Sequence, residues 1–472
     1  MRFHHRIKSV QIRLFLYFFT LAIIGTALLS LPLCYKNGMT VPLIDSLFTT
    51  VSAICVTGLS TVDMRLYTGA GLAVILLLIE AGGLGLVSFF TVFLVFSAKK
   101  ISLLNRNIIR DYFTEDSAVE SRQIIKVILI TTLAFQATGA LVLAPLLKTA
   151  GESHWIFYAI FLSISAFCNA GFSPYADSLA QFSGNGAICL WLSVLIIAGG
   201  LGFMVIANVI GVAKSRFSKK SRCILSLHSK IVLLMTFVLI AAGTLVFFFA
   251  EKDGAFSGMS FFKALNCAFF QSVTLRTAGF ETVSQADFSP LSTFSSIILM
   301  LTGGSPGSMA GGLKTTTLFL LVCVAYKRAS DKNAPSVFRR DIAEESTEKA
   351  LAVFVKGVCL LCVMYALLLI SESASLKAGT FSAGELFFEA ASAFGTVGLS
   401  KGITSALSSA GKILVMLLMF AGRTGITFIA LGSLYKEKPL DSLADFPTTF
   451  SFSPMNDIIN LSIRGNARDT KW

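Results

Sequence analysis

Apolar residues run along this chain in blocks of two lengths. The long ones include 14–34, 231–250 and 358–370, the last extended upstream from Leu351 past Lys356; they approach the roughly 20 residues that a helix needs to cross a bilayer. The short ones, 43–55, 156–167, 261–275 and 383–394, cannot cross, and a re-entrant segment is the usual alternative for a block of that length. The order long, short, long occurs four times, at 13–33, 43–55 and 72–97, at 124–147, 156–167 and 187–213, at 229–250, 261–275 and 291–326, and at 351–370, 383–394 and 411–434. The pattern predicts an all-α integral membrane protein of four membrane-pore-membrane repeats, with eight spanning helices and four re-entrant half-helices around a central pore. The units divide the chain at 1–98, 99–213, 214–326 and 327–435, with a polar tail at 436–472.

Each short block ends in a glycine with small or polar neighbours. The four read Cys55-Val56-Thr57-Gly58, Cys168-Asn169-Ala170-Gly171, Arg276-Thr277-Ala278-Gly279 and Gly395-Thr396-Val397-Gly398, and the glycines are 113, 108 and 119 residues apart. One such glycine reads best as a tight turn in a packed hairpin, whereas four at matched spacing mark an internal repeat. Non-helical backbone at membrane depth is tolerated only where it is buried in protein or lines a wet cavity. Glycine permits the dihedral signs that turn successive carbonyls the same way, and the half-helices aim their partially negative C-terminal ends at the centre. Both effects favour a desolvated monovalent cation. Gly82-Gly83, Gly199-Gly200, Gly303-Gly304 and Gly422-Arg423 begin 24, 28, 24 and 24 residues after the four glycines. Small residues there permit close helix packing, but packing alone does not explain the matched distances.

Composition agrees with the bilayer reading, at 54% hydrophobic and 14% charged residues, against roughly 25% charged in soluble domains. The net charge of +13 is unevenly placed: four Lys/Arg lie in 1–13, six in 99–126, six in 214–230, seven in 327–356 and five in 436–472, while the rest of the chain holds eleven. This asymmetry puts both termini and the clustered loops in the cytoplasm, with the short blocks dipping in from outside. No aromatic-interleaved basic stripe points to nucleic acid. The first apolar run is too long for a signal peptide, and Leu31-Pro32-Leu33-Cys34 lacks the small residue of a cleavage site, so it reads as a retained spanning helix. The nine cysteines lie mostly in apolar runs, the pair Cys359 and Cys362 has no second pair or nearby His, and the four histidines show no ligand spacing. Neither an enzyme's convergent polar groups nor a cofactor box is visible, so no catalytic role and no bound cofactor are expected.

Residues 303–312 place Gly303, Gly304, Ser305, Pro306, Gly307, Ser308, Gly311 and Gly312 in the middle of a membrane-length apolar segment. Glycine costs about 1 kcal/mol and proline about 3 kcal/mol in a helix interior, so the helix must break. The break is either a static kink or a mobile plug on the cytoplasmic side of the pore, kept wet by Ser305, Ser308 and Lys314. Arg423 stands where the other three repeats have glycine, and an arginine in this apolar setting should face the pore or a protein partner. It is expected to brake a permeating cation and to donate to carbonyls of 303–312. Arg276 can pin the third strand from behind, and Glu80 can pair with Arg423 or Lys314.

At these residues the chain resembles the superfamily of K+ transporters, the Trk/Ktr/HKT group, over residues 10–435. The resemblance rests on Thr57-Gly58-Leu59, Asn169-Ala170-Gly171-Phe172, Arg276-Thr277-Ala278-Gly279-Phe280, Gly395-Thr396-Val397-Gly398-Leu399 and Gly303-Gly304-Ser305-Pro306-Gly307-Ser308. With no extra helices ahead of the first repeat, the chain is most similar to the Ktr-type membrane subunit. The resemblance implies potassium as the transported ion and a homodimer with one pore per protomer. It also implies a cytosolic RCK or KTN-type nucleotide-binding regulator and a place in the cell membrane. Carried over by position, it makes Gly58, Gly171, Gly279 and Gly398 filter residues, 303–312 an intramembrane gate and Arg423 the pore arginine. Members preferring sodium often carry serine at the first filter position, so Gly58 implies potassium. Sodium permeation or sodium-coupled potassium uptake is the alternative. Two departures are Thr424-Gly425-Ile426, where a proline is common nearby, and the long polar tail.

Overall fold

The computed structural model describes residues 10–84, 121–217, 224–326, 336–337, 340–341 and 344–424. Their regular elements are helices apart from one antiparallel two-residue hairpin, β1 (Ser336–Val337) with β2 (Arg340–Asp341). In chain order the helices are α1 (Val10–Leu29), α2 (Leu43–Ile54), α3 (Gly69–Gly83), α4 (Ser121–Thr149), α5 (Trp155–Phe167), α6 (Gly186–Leu201) and α7 (Phe203–Phe217). They continue with α8 (Leu227–Ala250), α9 (Phe261–Thr274), α10 (Pro290–Leu301), α11 (Thr315–Tyr326), α12 (Glu344–Ser371), α13 (Ser373–Lys377), α14 (Ala383–Gly395) and α15 (Ser409–Thr424). The basic clusters at 1–13 and 99–126 fall largely outside the described residues, those at 214–230 and 327–356 in part, and the tail at 436–472 wholly so.

Local chemistry starts several of these helices where the chain re-enters the apolar layer. Thr68, Ser226 and Ser289 cap α3, α8 and α10 with their hydroxyls, and Pro290 occupies the first turn of α10. Ser382 and Glu385 form a reciprocal capping box on α14. The four short helices α2, α5, α9 and α14 have 12, 13, 14 and 13 residues. At 1.5 Å per residue that is about 20 Å, well short of a bilayer's hydrocarbon thickness.

Each short helix packs against the long helix before it, α2 on α1, α5 on α4, α9 on α8 and α14 on α12. In three pairs a glycine of the long helix admits the short one. A Cβ on Gly25 would stand 2.6 Å from Thr50, one on Gly139 2.1 Å from Ser163 Oγ, and one on Gly243 2.3 Å from Ser272 Oγ. Ser163 and Ser272 then donate to the Gln136 and Ile240 carbonyls of α4 and α8 at 2.7 and 2.9 Å. Buried carboxylates fix two outer ends: Glu251 accepts from Ser289 N and Oγ at 2.9 and 2.6 Å, and Glu372 from Ser408 N and Oγ at 3.0 and 2.5 Å.

Three described helices are long and apolar enough to cross a membrane, Val127–Thr149, Leu227–Ala250 and Ser346–Ser371, and α6 with α7 makes a fourth if the bent pair is one span. The eight full-length spans expected from hydropathy are therefore not all seen. The predicted spans 72–97 and 411–434 run past the described residues, and 291–326 is split into α10 and α11 as its glycines require. The expected continuous helix 187–213 is a correction. It breaks at Gly202, whose φ is 91°, and bends there by 105°. The break has a partner: Phe203 N donates to Gly307 O at 3.1 Å, and a Cβ on Gly202 would lie 2.8 Å from Pro306 O.

α15 also packs on α2, which brings the last described helix against the first short one. Lys412 Nζ reaches Asp45 Oδ1 at 2.6 Å, with side chains only 12% and 13% exposed. Lys412→Met should cost about 1–3 kcal/mol by leaving a shielded carboxylate unpaired, read as a lower melting temperature in detergent. Adding Asp45→Asn should recover part of the loss, and an unmoved melting point in both variants would remove the pair from the account of stability.

Candidate functional site

The four tetrapeptides lie at the C-terminal ends of α2, α5, α9 and α14, and all four turns share one backbone pattern. The residue two before each glycine is left-handed, Val56 at φ 55°, Asn169 at 58°, Thr277 at 71° and Thr396 at 51°, and Gly58, Gly171, Gly279 and Gly398 follow at 102°, 70°, 76° and 95°. A left-handed non-glycine costs about 1–3 kcal/mol and persists only where its surroundings enforce it. Here the enforcement is a hydroxyl residue just inside each short helix. Ser52 O, Ser165 O and Ser392 O accept from Thr57 N, Ala170 N and Val397 N at 2.9, 2.8 and 2.9 Å, and Thr274 O accepts from Gly279 N at 3.2 Å. Ser52 and Ser392 Oγ accept from Gly58 N and Gly398 N at 3.1 Å, Thr274 Oγ1 accepts from Phe280 N at 2.8 Å, and Ser165 Oγ donates to Phe172 O at 2.7 Å. Sequence reasoning passed over these four; their signal was a Ser or Thr five or six residues before every turn glycine.

The turns meet in a closed ring. A Cβ on Gly58 would lie 2.5 Å from Ala170 O, on Gly171 2.7 Å from Ala278 O, on Gly279 2.0 Å from Val397 O, and on Gly398 2.0 Å from Thr57 O. Each glycine thus faces the carbonyl of the residue before the next glycine, and the fourth returns to the first. No side chain fits at these contacts. Between the second and third turns the Asn169 amide also bridges: with its oxygen 3.2 Å from Thr277 Oγ1, its nitrogen donates to Ala166 O and Ile196 O, both at 3.2 Å.

The remaining candidates sit around the ring. Cys168 is fully buried, with Gln136 Nε2 3.6 Å from its Sγ, and Cys55 packs with Leu313 and Phe394. Gly395 ends α14 where a Cβ would stand 2.4 Å from Met300 O. The Arg276 side chain reaches Thr236 Oγ1 on α8, at 3.4 Å. Glu80 accepts from Gln136, and among the described residues no ion pair joins it to Arg423 or Lys314.

Residues 303–312 lie against the fourth turn, since a Cβ on Gly311 would be 2.1 Å from Thr396 Oγ1. The loop is stapled to its neighbours through backbone. Ser305 N and Met309 N donate to Gly200 O and Gly199 O at 3.0 and 3.1 Å, using carbonyls that the Gly202 break releases. Gly312 N donates to Gly422 O at 3.3 Å, and Thr315 N returns to Gly304 O at 3.1 Å. Arg423 donates to Met309 O and also to Gly82 O and Gly83 O at 2.9 and 3.1 Å. It therefore clamps the loop to the end of α3, with the loop carbonyl among its acceptors as expected. Ser308 Oγ donates to Ser305 O at 2.6 Å and Lys314 Nζ to Ala310 O at 2.9 Å. The buried hydroxyls of Ser305, Thr315, Thr57 and Thr396 have no protein partner among the described residues.

The matched glycine pairs find a different explanation from the one expected. A Cβ on Gly82, Gly199 or Gly422 would lie 1.9, 1.9 or 2.1 Å from Ile54 O, Phe167 O or Phe394 O, the last carbonyls of three short helices or their next-to-last residues. Close packing does account for these distances, because the helix ends being packed upon are themselves matched. Gly303 departs, meeting Gly311 O at 2.1 Å within its own loop.

Comparison with known proteins agrees with this architecture. The TrkH family model, described as a cation transport protein, matches residues 8–441. The potassium/sodium uptake protein NtpJ of Enterococcus hirae is 34% identical over 91% of this chain and 94% of its own length. The Ktr system potassium uptake protein B of Bacillus subtilis is 35% identical over 87% and 90%. The solved potassium transporter TrkH from Vibrio parahaemolyticus superposes with a TM-score of 0.67 over 89% of this chain and 84% of its own, at 19% identity, which speaks for the fold. By the extent of the family match and by these relatives, the chain belongs to the TrkH family of cation transport proteins, alongside the Ktr-type membrane subunits.

Proposed function

We propose that this chain is a channel-like potassium uptake subunit of the cell membrane, with four membrane-pore-membrane repeats around one conduction path. The observation that carries the reading is the closed ring of four left-handed turns, each at the negative end of a short helix. Such a ring offers backbone carbonyls in place of a cation's hydration shell. In this reading 55–58, 168–171, 276–279 and 395–398 form the selectivity filter. Residues 303–312, with Lys314 and Arg423, form a gate beneath it. Buried polar groups need partners, and water or a passing cation would serve the hydroxyls of Thr57, Thr396, Ser305 and Thr315.

The relatives' names support potassium as the ion, and the Enterococcus protein's name, potassium/sodium uptake, supports sodium permeation or coupling as the second reading. The Ktr system to which three relatives belong supports a membrane subunit of a larger assembly. We assign it a homodimeric state, cytoplasmic termini and a cytosolic nucleotide-binding regulator of RCK or KTN type. The test is uptake by the purified chain in liposomes, with potassium, rubidium, sodium and chloride compared under one gradient. Potassium and rubidium should enter and chloride should not. Equal sodium uptake would move the assignment to the second reading, and chloride uptake would overturn the filter.

A further inference from the structure

Outward of the ring, the chain leaves each turn through a segment that folds back past its own short helix. In three units a buried side-chain bond ties the two together. Tyr67 OH donates to Thr49 Oγ1 at 3.4 Å, and Gln271 and Gln285 exchange bonds of 2.8 and 3.2 Å. In the fourth unit the Thr404 hydroxyl donates to Glu389 Oε1. The positions correspond: Thr49, Gln271 and Glu389 lie nine, eight and nine residues before their glycines, and Gln285 and Thr404 both lie six after.

Of these three brackets only that of the fourth unit is built on a carboxyl group. Glu389 is wholly buried in α14, and its Oε2 has no partner among the described residues. Burying such a group is costly, and the sister units show that Thr or Gln suffices to bridge the same gap. The Glu389 bracket reaches further than theirs. Thr404 Oγ1 is 3.0 Å from Ser400 Oγ, which accepts from Gly402 N at 3.0 Å. Lys401 Nζ holds the outer side of the same segment by donating to Thr293 Oγ1 on α10 at 2.9 Å. Residues 399–404 are thereby fixed from both sides, immediately after the tightest kind of ring contact, that of Gly398 on Thr57 O.

We propose that Glu389 is a positioning residue for cation discrimination: through Thr404 and Ser400 it fixes the segment that leaves Gly398, and so the spacing of the fourth turn against the first. The inference rests on the filter reading. A loosened turn lets the carbonyls close around a smaller ion, so the effect falls on the ratio of potassium to sodium uptake rather than on total flux alone.

The experiment measures that ratio in liposomes for Glu389→Ala, Thr404→Val, their double variant, Glu389→Gln and Gly398→Ser, each accepted only as a monodisperse purified protein. Glu389→Ala and Thr404→Val should each lower the ratio about fivefold, the scale of one lost buried hydrogen bond. The double variant should lose no more than the worse single, because the two act as one unit. Glu389→Gln keeps an oxygen for Thr404 and should stay near the parent ratio; a loss as large as that of alanine would overturn the hydrogen-bond role. Thr404→Val nearly preserves shape and carries the test if Glu389→Ala does not fold. If Gly398→Ser changes the ratio while Thr404→Val does not, the bracket is overturned and the filter reading stands. If Gly398→Ser leaves it unchanged, the filter reading itself falls, and the inference with it.

Discussion

A serine at position 58 should cut potassium uptake by at least about tenfold and raise the sodium share of what remains. Gly58 has φ 102°, and the new Cβ would lie 2.5 Å from Ala170 O and 3.1 Å from the Gly171 Cα. Both obstacles are backbone, so the side chain cannot be accommodated by a rotamer change elsewhere. Strain of about 1–3 kcal/mol must then appear as displacement of the first turn against the second, and each 1.4 kcal/mol is a factor of ten in an equilibrium. If the ring is the proposed filter, displacement spoils its match to the larger ion first, so the sodium share should rise while total uptake falls. Gly38→Ser is the control, because Gly38 also has positive φ, 63°, but nothing within 4 Å of a Cβ. It should leave both fluxes unchanged. A folded Gly58→Ser protein with the parent ratio of sodium to potassium would take Gly58 out of the filter.

The features that could be read from sequence are those written locally. Four short apolar blocks, each ending in glycine, announce α2, α5, α9 and α14, because a block too short to cross and a residue tolerant of positive φ are properties of a few consecutive residues. The break at 303–312 is legible for the same reason. The break at Gly202 was not, since hydropathy continues through it and what opens the helix is a set of partners from another part of the chain: Phe203 N, Gly199 O and Gly200 O bond to Gly307, Met309 and Ser305. Hydropathy reports where a segment sits, not whether it bends. The glycines Gly25, Gly139 and Gly243 escaped for a related reason, because a glycine in a spanning helix is commonplace until the hydroxyl or methyl it accommodates is known. Glu80 shows the limit of charge reasoning. A buried carboxyl invites a cationic partner, yet the structure gives it an amide, Gln136, on a neighbouring helix. The short helices and the break at 303–312 were legible, and partners across the bundle were not.

If 303–312 is the proposed gate, Arg423→Ala should raise potassium flux through the purified chain by about 10- to 100-fold. The guanidinium bridges Met309 O in the loop and Gly82 O and Gly83 O at the end of α3. Hydrogen bonds to a charged group are worth about 1.5–3 kcal/mol each, and the bond to Met309 must break for the loop to leave α3. Removing it shifts the closed state toward the open one by one such bond. The loop keeps its anchors on Gly199, Gly200 and Gly422, so the shift is partial and the protein should stay folded. Two mechanisms, a staple and an electrostatic brake, predict the same rise and must be separated. Arg423→Lys does so, because an ammonium retains the charge but cannot span both acceptor sites with a planar fork. If the staple dominates, lysine should leak nearly as much as alanine; if the charge dominates, lysine should stay closed. Deleting 305–308 tests the loop directly, and its gain in flux should not add to that of Arg423→Ala, since both remove one barrier. A folded deletion variant with unaltered flux would leave 303–312 as a static break in the helix and would make Arg423 a packing residue for the end of α3.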